Sequence, residues 1–133
     1  MINDNINISS ILTHFESVVR KEVSKNCYAS TLPSTLKEGV KSMVVITCGN
    51  TVVDRNAYGE GTIFFYLYAQ PVNGMMNVAA LSKLEKSLRK ALYEDKFDNE
   101  DYSVSREIYL GGEGYDTTYN MHYYIKSVYF KIK

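Results

Sequence analysis

Residues 62–69, Thr-Ile-Phe-Phe-Tyr-Leu-Tyr-Ala, constrain this chain more than any other stretch. The run is short, β-branched and aromatic, and Pro71 closes it, so it reads as a strand. It lacks the alternation of polar and apolar residues that a half-wet strand shows. Both faces therefore need cover, from a helix on one side and from a second subunit on the other. At 133 residues the chain reads as a single domain spanning 1–133. A chain of that size buries roughly 70% of its unfolded surface and needs no metal or disulfide to hold a core.

Two helices flank this strand in sequence. Ile11, Leu12, Phe15, Val18, Val19 and Val23 recur at helical spacing and predict a helix over 9–25, with N-cap candidates between Asn7 and Ser10. Val78, Leu81, Leu84, Leu88, Ala91 and Leu92 do the same over 77–94, with Asn77 as the N-cap. Lys83, Glu85, Lys86, Arg89 and Lys90 fall on the wet side of that second helix. Met43–Cys48 reads as a buried strand, and the polar residues 50–61 as the tip of a hairpin. Residues 26–41, with Pro33 and Gly39, form a long connection that holds at most a short edge strand. Tyr102–Leu110 alternates like a half-exposed strand, and Gly111-Gly112-Glu113-Gly114 reads as a turn. In the final strand, 119–133, Met121, Tyr123 and Ile125 share one phase and Val128, Phe130 and Ile132 the other. That change calls for a bulge or twist near Lys126-Ser127. The expected fold is α+β: an antiparallel sheet of about four strands with two helices on one face, in the order α-β-β-α-β-β.

Composition excludes several classes of function. Fifteen basic residues balance fifteen acidic ones, which argues against a strong sequence-independent DNA binder. No apolar run reaches the ~18 residues of a transmembrane helix. The first residues lack the charged and apolar regions of a signal peptide. Cys27 and Cys48 are too few for a structural zinc site; Cys48 reads as a buried small hydrophobe and Cys27 as partly exposed, both in a reducing compartment. The glycine run at 111–114 lacks the Lys-Ser/Thr of a phosphate loop. Asp98, Glu100 and Asp101 lack the spacing of a calcium loop. His14 and His122 stand on different elements with no nucleophile at a catalytic spacing. Asn7-Ile8-Ser9 matches a glycosylation sequon without secretory context. Met75-Met76 reads either as an adaptable contact surface or as core at the start of a helix. No catalytic residue, cofactor or metal is expected.

Tyrosine is the unusual component. Of twelve, seven lie between Tyr102 and Tyr129, and Tyr123-Tyr124 cannot both enter one core because adjacent strand residues face opposite ways. An amphipathic ring suits a protein interface as well as a strand. The order of elements, and above all Phe-Tyr-Leu-Tyr-Ala-Gln-Pro followed by an Asn-capped helix with Leu-Ser-Lys-Leu-Glu-Lys-Ser-Leu, resembles the tail-terminator or tail-completion proteins of tailed bacteriophages and their neck-ring relatives. The resemblance spans almost the whole chain. The tyrosine-rich C-terminus and the long 26–41 connection depart from the family pattern.

This resemblance implies a virion protein, assembled in the host cytoplasm. It would form a homo-oligomeric ring, usually a hexamer, that joins neck to tail and lets DNA pass without specific binding. Subunit-interface candidates are then Phe64, Tyr66, Tyr68, Tyr124, Tyr129 and Phe130. Candidate contacts to axial neighbours are Asp54, Arg55, Asn56 and Tyr58 in one loop and Glu113 and Tyr115 in another. The competing reading is a small monomeric adaptor or protein-binding module. A third, an enzyme using His14, His122 and the 98–101 carboxylates, requires those groups to meet.

Overall fold

The computed structural model describes residues 7–29, 34–53 and 59–133. The elements run α1 (Ile8–Glu22), β1 (Cys27–Ala29), β2 (Ser42–Val53), β3 (Gly59–Ala69), α2 (Val78–Tyr93), β4 (Tyr102–Val104), β5 (Tyr109–Asp116) and β6 (Met121–Ile132). Both helices start where an asparagine can cap them. The Asn7 side chain accepts from the Ser10 N–H at 2.8 Å and the Ser10 hydroxyl accepts from the Asn7 N–H, a reciprocal capping box. Asn77 accepts from the Ala80 N–H at 3.1 Å.

The sheet corrects the expected architecture. It has six strands, is mixed, and curls strongly into a half-barrel, in the order α-β-β-β-α-β-β-β. The strand order is β1-β2-β3-β6-β4, with β5 also on β6. β1 pairs parallel to β2, Cys27 opposite Val44, and the remaining pairs are antiparallel. A parallel neighbour needs a long crossover, which is what residues 30–41 supply. β1 has only three residues, too few to show a period.

The hairpin of β2 and β3 is longer than expected: strand pairing runs out to Val53 and Gly59, so most of 50–61 is ladder and not loop. The expected strand 102–110 is in fact two. After Val104 the Ser105 hydroxyl accepts from the Tyr129 N–H, a position where a ladder carbonyl would serve. The chain then leaves the sheet so that Arg106 can reach Asp95 at the end of α2, with N–O distances of 3.0 and 2.6 Å. It returns at Tyr109, opposite Ser127. The glycine run 111–114 belongs to β5, and the turn is 117–120.

β6 keeps an unbroken register against β3, from Lys131 opposite Glu60 to His122 opposite Ala69. The change of apolar phase along β6 therefore has a cause other than a bulge in that strand. Val128, Phe130 and Ile132 join the main core beneath the helices, whereas Met121 joins a second cluster on the opposite face. One regularly paired strand thus has cover on different faces at its two ends. The irregularity near Lys126 sits in β5, between Leu110 and Gly112.

The main core joins Ile11, Phe15 and Val19 of α1 and Leu81, Leu88 and Leu92 of α2 to Val44, Ile46, Phe65 and Phe130 of the sheet. Phe15 is its hub, with ring centroids 4.8 Å from Phe97 and 6.1 Å from Phe65. Cys27 is buried there and Cys48 is only half-buried, the reverse of the sequence expectation. The short edge strand expected within 26–41 is β1, and its pairing with β2 carries Cys27 under α1. Burial, with the nearby Glu16 carboxylate, pushes the Cys27 thiol up to about 12.

Candidate functional site

The strand alternation sorts the sheet into two faces. The helices cover Ile63, Phe65, Leu67 and Ala69 of β3. The other face of β3 carries Thr62, Phe64, Tyr66 and Tyr68. Register places Met43, Val45 and Thr47 of β2 on one side of that row and Tyr123, Ile125, Ser127 and Tyr129 of β6 on the other.

One end of this second face is closed by the protomer itself. Met43, Val45, Tyr68 and Met121 are buried, and Leu36 and Val40 of the crossover pack on them with Tyr28, Tyr66, Tyr119 and Tyr123. The Tyr68 hydroxyl donates to an Asp116 carboxylate oxygen at 3.2 Å. Burial first, and then the Asp116 charge, push the Tyr68 phenol well above its ordinary value.

The other end is open among the described residues. Thr47, Thr62, Phe64 and Ile125 are half-buried and Tyr129 is 50% exposed. Phe64 and Ile125 lie low on the sheet because neighbouring strands offer glycine where a side chain would stand. A Cβ on Gly49 would come within 2.6 Å of the Phe64 ring, and one on Gly111 within 2.6 Å of the Ile125 side chain. Tyr109 meets Tyr129 edge-on at 5.1 Å. The result is a low aromatic platform without a helix on it.

The six interface candidates do not form one patch. Phe64 and Tyr66 are half-buried on the platform, with Tyr129 at its exposed rim. Tyr68 lies inside the closed end. Tyr124 and Phe130 point the other way, Tyr124 against the main core and Phe130 fully buried within it. Of the axial-contact candidates, Glu113 and Tyr115 are exposed on β5, where the Tyr115 hydroxyl donates to Asn120 and its ring packs on His122 at 4.8 Å. Asp54, Arg55, Asn56 and Tyr58 lie outside the described residues. Met76 packs on the main core, whereas Met75 is 72% exposed and pairs with Val72 at the base of a tight turn.

Sequence reasoning missed one charged pair. Lys126 is buried on the helix face of β6, its side chain 5% exposed, and its ammonium sits 2.5 Å from Glu85 of α2. Arg89 approaches the same carboxylate at 3.6 Å. Burial alone would raise the Glu85 carboxyl, but the two cations outweigh it and hold it below its ordinary value. The signal was present: Lys126 shares the phase of Val128, Phe130 and Ile132, so it had to enter the same layer.

The histidines do not meet. His14 on α1 contacts the Phe97 carbonyl at 3.2 Å and the Tyr102 ring, close to where Tyr102 pairs with Ile132. His122 is ten residues away along β6, about 33 Å at strand rise. The Asp98 carboxylate accepts from the Val104 N–H at 2.9 Å. Among the described residues no three His, Cys, Asp or Glu side chains converge as a metal site would require. No helix among them is long and apolar enough to cross a membrane. No protein-family model matches the chain, and neither does any curated protein.

Proposed function

We propose that the protein is a structural, non-enzymatic component that packs against copies of itself as a ring, at the junction between the neck and tail of a phage particle. The observation that carries this reading is the open aromatic end of the sheet. Phe64, Ile125 and Tyr129 share one face of adjacent strands that the described residues leave partly in water. A closed ring needs a head-to-tail contact, in which one surface meets a different one on the next copy. A second apolar feature is available for that role. Val72 and Met75 pair across the turn between β3 and α2, and both are exposed, as is Val78 at the start of α2. Asn73 and Gly74 adopt positive φ values of 53° and 75° there, which keeps the turn tight and presents the apolar pair at its base.

Mass photometry of the purified protein from nanomolar to micromolar concentration, followed by electron microscopy with virions, tests the proposal. Discrete closed oligomers that locate to the neck or tail are the expected result. A monomer at every concentration, with no binding to particles, would refute it and favour the adaptor reading.

A further inference from the structure

The solvent face of α2 carries four cations. Lys83, Lys86, Arg89 and Lys90 are all exposed along one side of the helix. They repel one another, since Lys83–Lys86, Lys86–Arg89 and Lys86–Lys90 are spaced three or four residues apart, the spacing at which helix side chains meet. Two acids stand near the row: Glu94 is exposed just past the last turn, and Glu85 is half-buried. Glu85 is engaged by the buried Lys126, leaving Arg89 its outer partner at 3.6 Å. Lys83, Lys86 and Lys90 meet no carboxylate at ion-pair distance among the described residues. Repulsion at these spacings opposes the helix, offset in the last turn where the Lys90 charge suits the helix dipole. Next to it lies a shallow cleft of about 410 Å³ lined by Arg89, Lys90, Tyr93, Glu94 and Arg106.

We infer that this face of α2 is a contact surface for the phosphate backbone of duplex DNA. Lysine-rich ridges without an apolar centre are atypical of protein–protein interfaces, which are depleted in lysine, and typical of phosphate contacts. Single-stranded nucleic acid would call for a series of stacking rings, and the one aromatic on this face, Tyr93, already carries the Arg106 guanidinium 5.4 Å from its centroid. Lys83 to Lys90 spans about 10 Å along the helix, enough to follow successive phosphates of one strand. The zero net charge of the chain does not oppose this, because the contact is local. The inference does not depend on ring formation.

Fluorescence anisotropy with a labelled duplex at 50 and 200 mM salt tests it. Four phosphate contacts predict a log–log salt slope of about −3.6 for each protomer engaged, hence a loss of affinity of about 150-fold between those two conditions. The variant K83Q/K86Q/K90Q should bind at least tenfold more weakly, while K21Q/K25Q/K37Q, with the same change in net charge, should stay within twofold. K86E should weaken DNA binding yet raise the melting temperature, because it turns repelling neighbours into attracting ones. Absence of binding at 50 mM salt would overturn the inference. So would equal loss in the two triple variants. Displacement of the duplex by poly-glutamate of equal charge at equal concentration would assign the surface to an acidic protein instead.

Discussion

The two faces of this sheet are built from the same strands yet are finished differently. On the helix face, Phe65 meets Phe15 and Phe97 and is sealed completely. One residue earlier, Phe64 lies against Gly49 on the opposite face and keeps part of its ring in water. The chain composition does not distinguish these neighbours; the cover does. Two amphipathic helices close the first face. Among the described residues, Leu36 and Val40 of the connection before β2 reach the Met43–Met121 end of the second. Among the described residues, a strand that is apolar on both sides is therefore fully covered on one side and only partly covered on the other.

Substitutions on the two faces test this contrast. Phe65→Ala should cost about 3–5 kcal/mol in urea unfolding, since it opens a cavity at the hub of the core. Phe64→Ala, with the same chemistry, should cost the protomer about 1 kcal/mol. Equal costs would mean that the two faces are equally closed. Glu85→Gln should destabilise by about 3 kcal/mol because it strands the buried Lys126 ammonium. Lys126→Met should cost less, as it removes the buried charge instead of orphaning it.

The same pair shapes the acid limb. The Glu85 carboxyl is held below its ordinary 4.5, so its contribution is complete above that value and is lost as pH falls through the lowered one. Between those two values the unfolded chain binds the extra proton, and stability rises with pH. Glu85→Gln should flatten that limb in thermal melts taken across the acid range. On the open face, Phe64→Ser combined with Tyr129→Ser should abolish self-assembly while unfolding stays within about 1 kcal/mol of the parent protein. The smallest effect concerns the thiols. Cys27, buried and pushed up to about 12, should resist alkylation at pH 8 until the protein unfolds, whereas half-buried Cys48 should react in the native state.

Local signals in the chain read through clearly. Asn7 and Asn77 cap the helices that their spacing predicted; the second matches its expected ends within one residue, and the first stops three residues before its expected C-terminal end. The apolar runs at 43–48 and 62–69 did become adjacent strands. Non-local pairing did not read through. β1 is too short to carry a period, and its parallel partner lies beyond a crossover. The run Gly111-Gly112-Glu113-Gly114 has turn composition, but close approach of Ile125 and Tyr123 is the reason for Gly111 and Gly114 within a strand. Phe130 and Tyr124 entered the interface list because aromatic content alone does not say which side of a strand is covered. The register against β3 places both on the helix side.

Hydroxyl-radical footprinting at increasing protein concentration tests most directly whether copies of the chain finish the open face. Phe64 and Tyr129 should become protected as concentration rises into the micromolar range, while exposed Tyr93 on α2 stays unchanged in the absence of DNA. Oxidation of Phe64 and Tyr129 that stays at one level throughout would show that no second copy covers the platform.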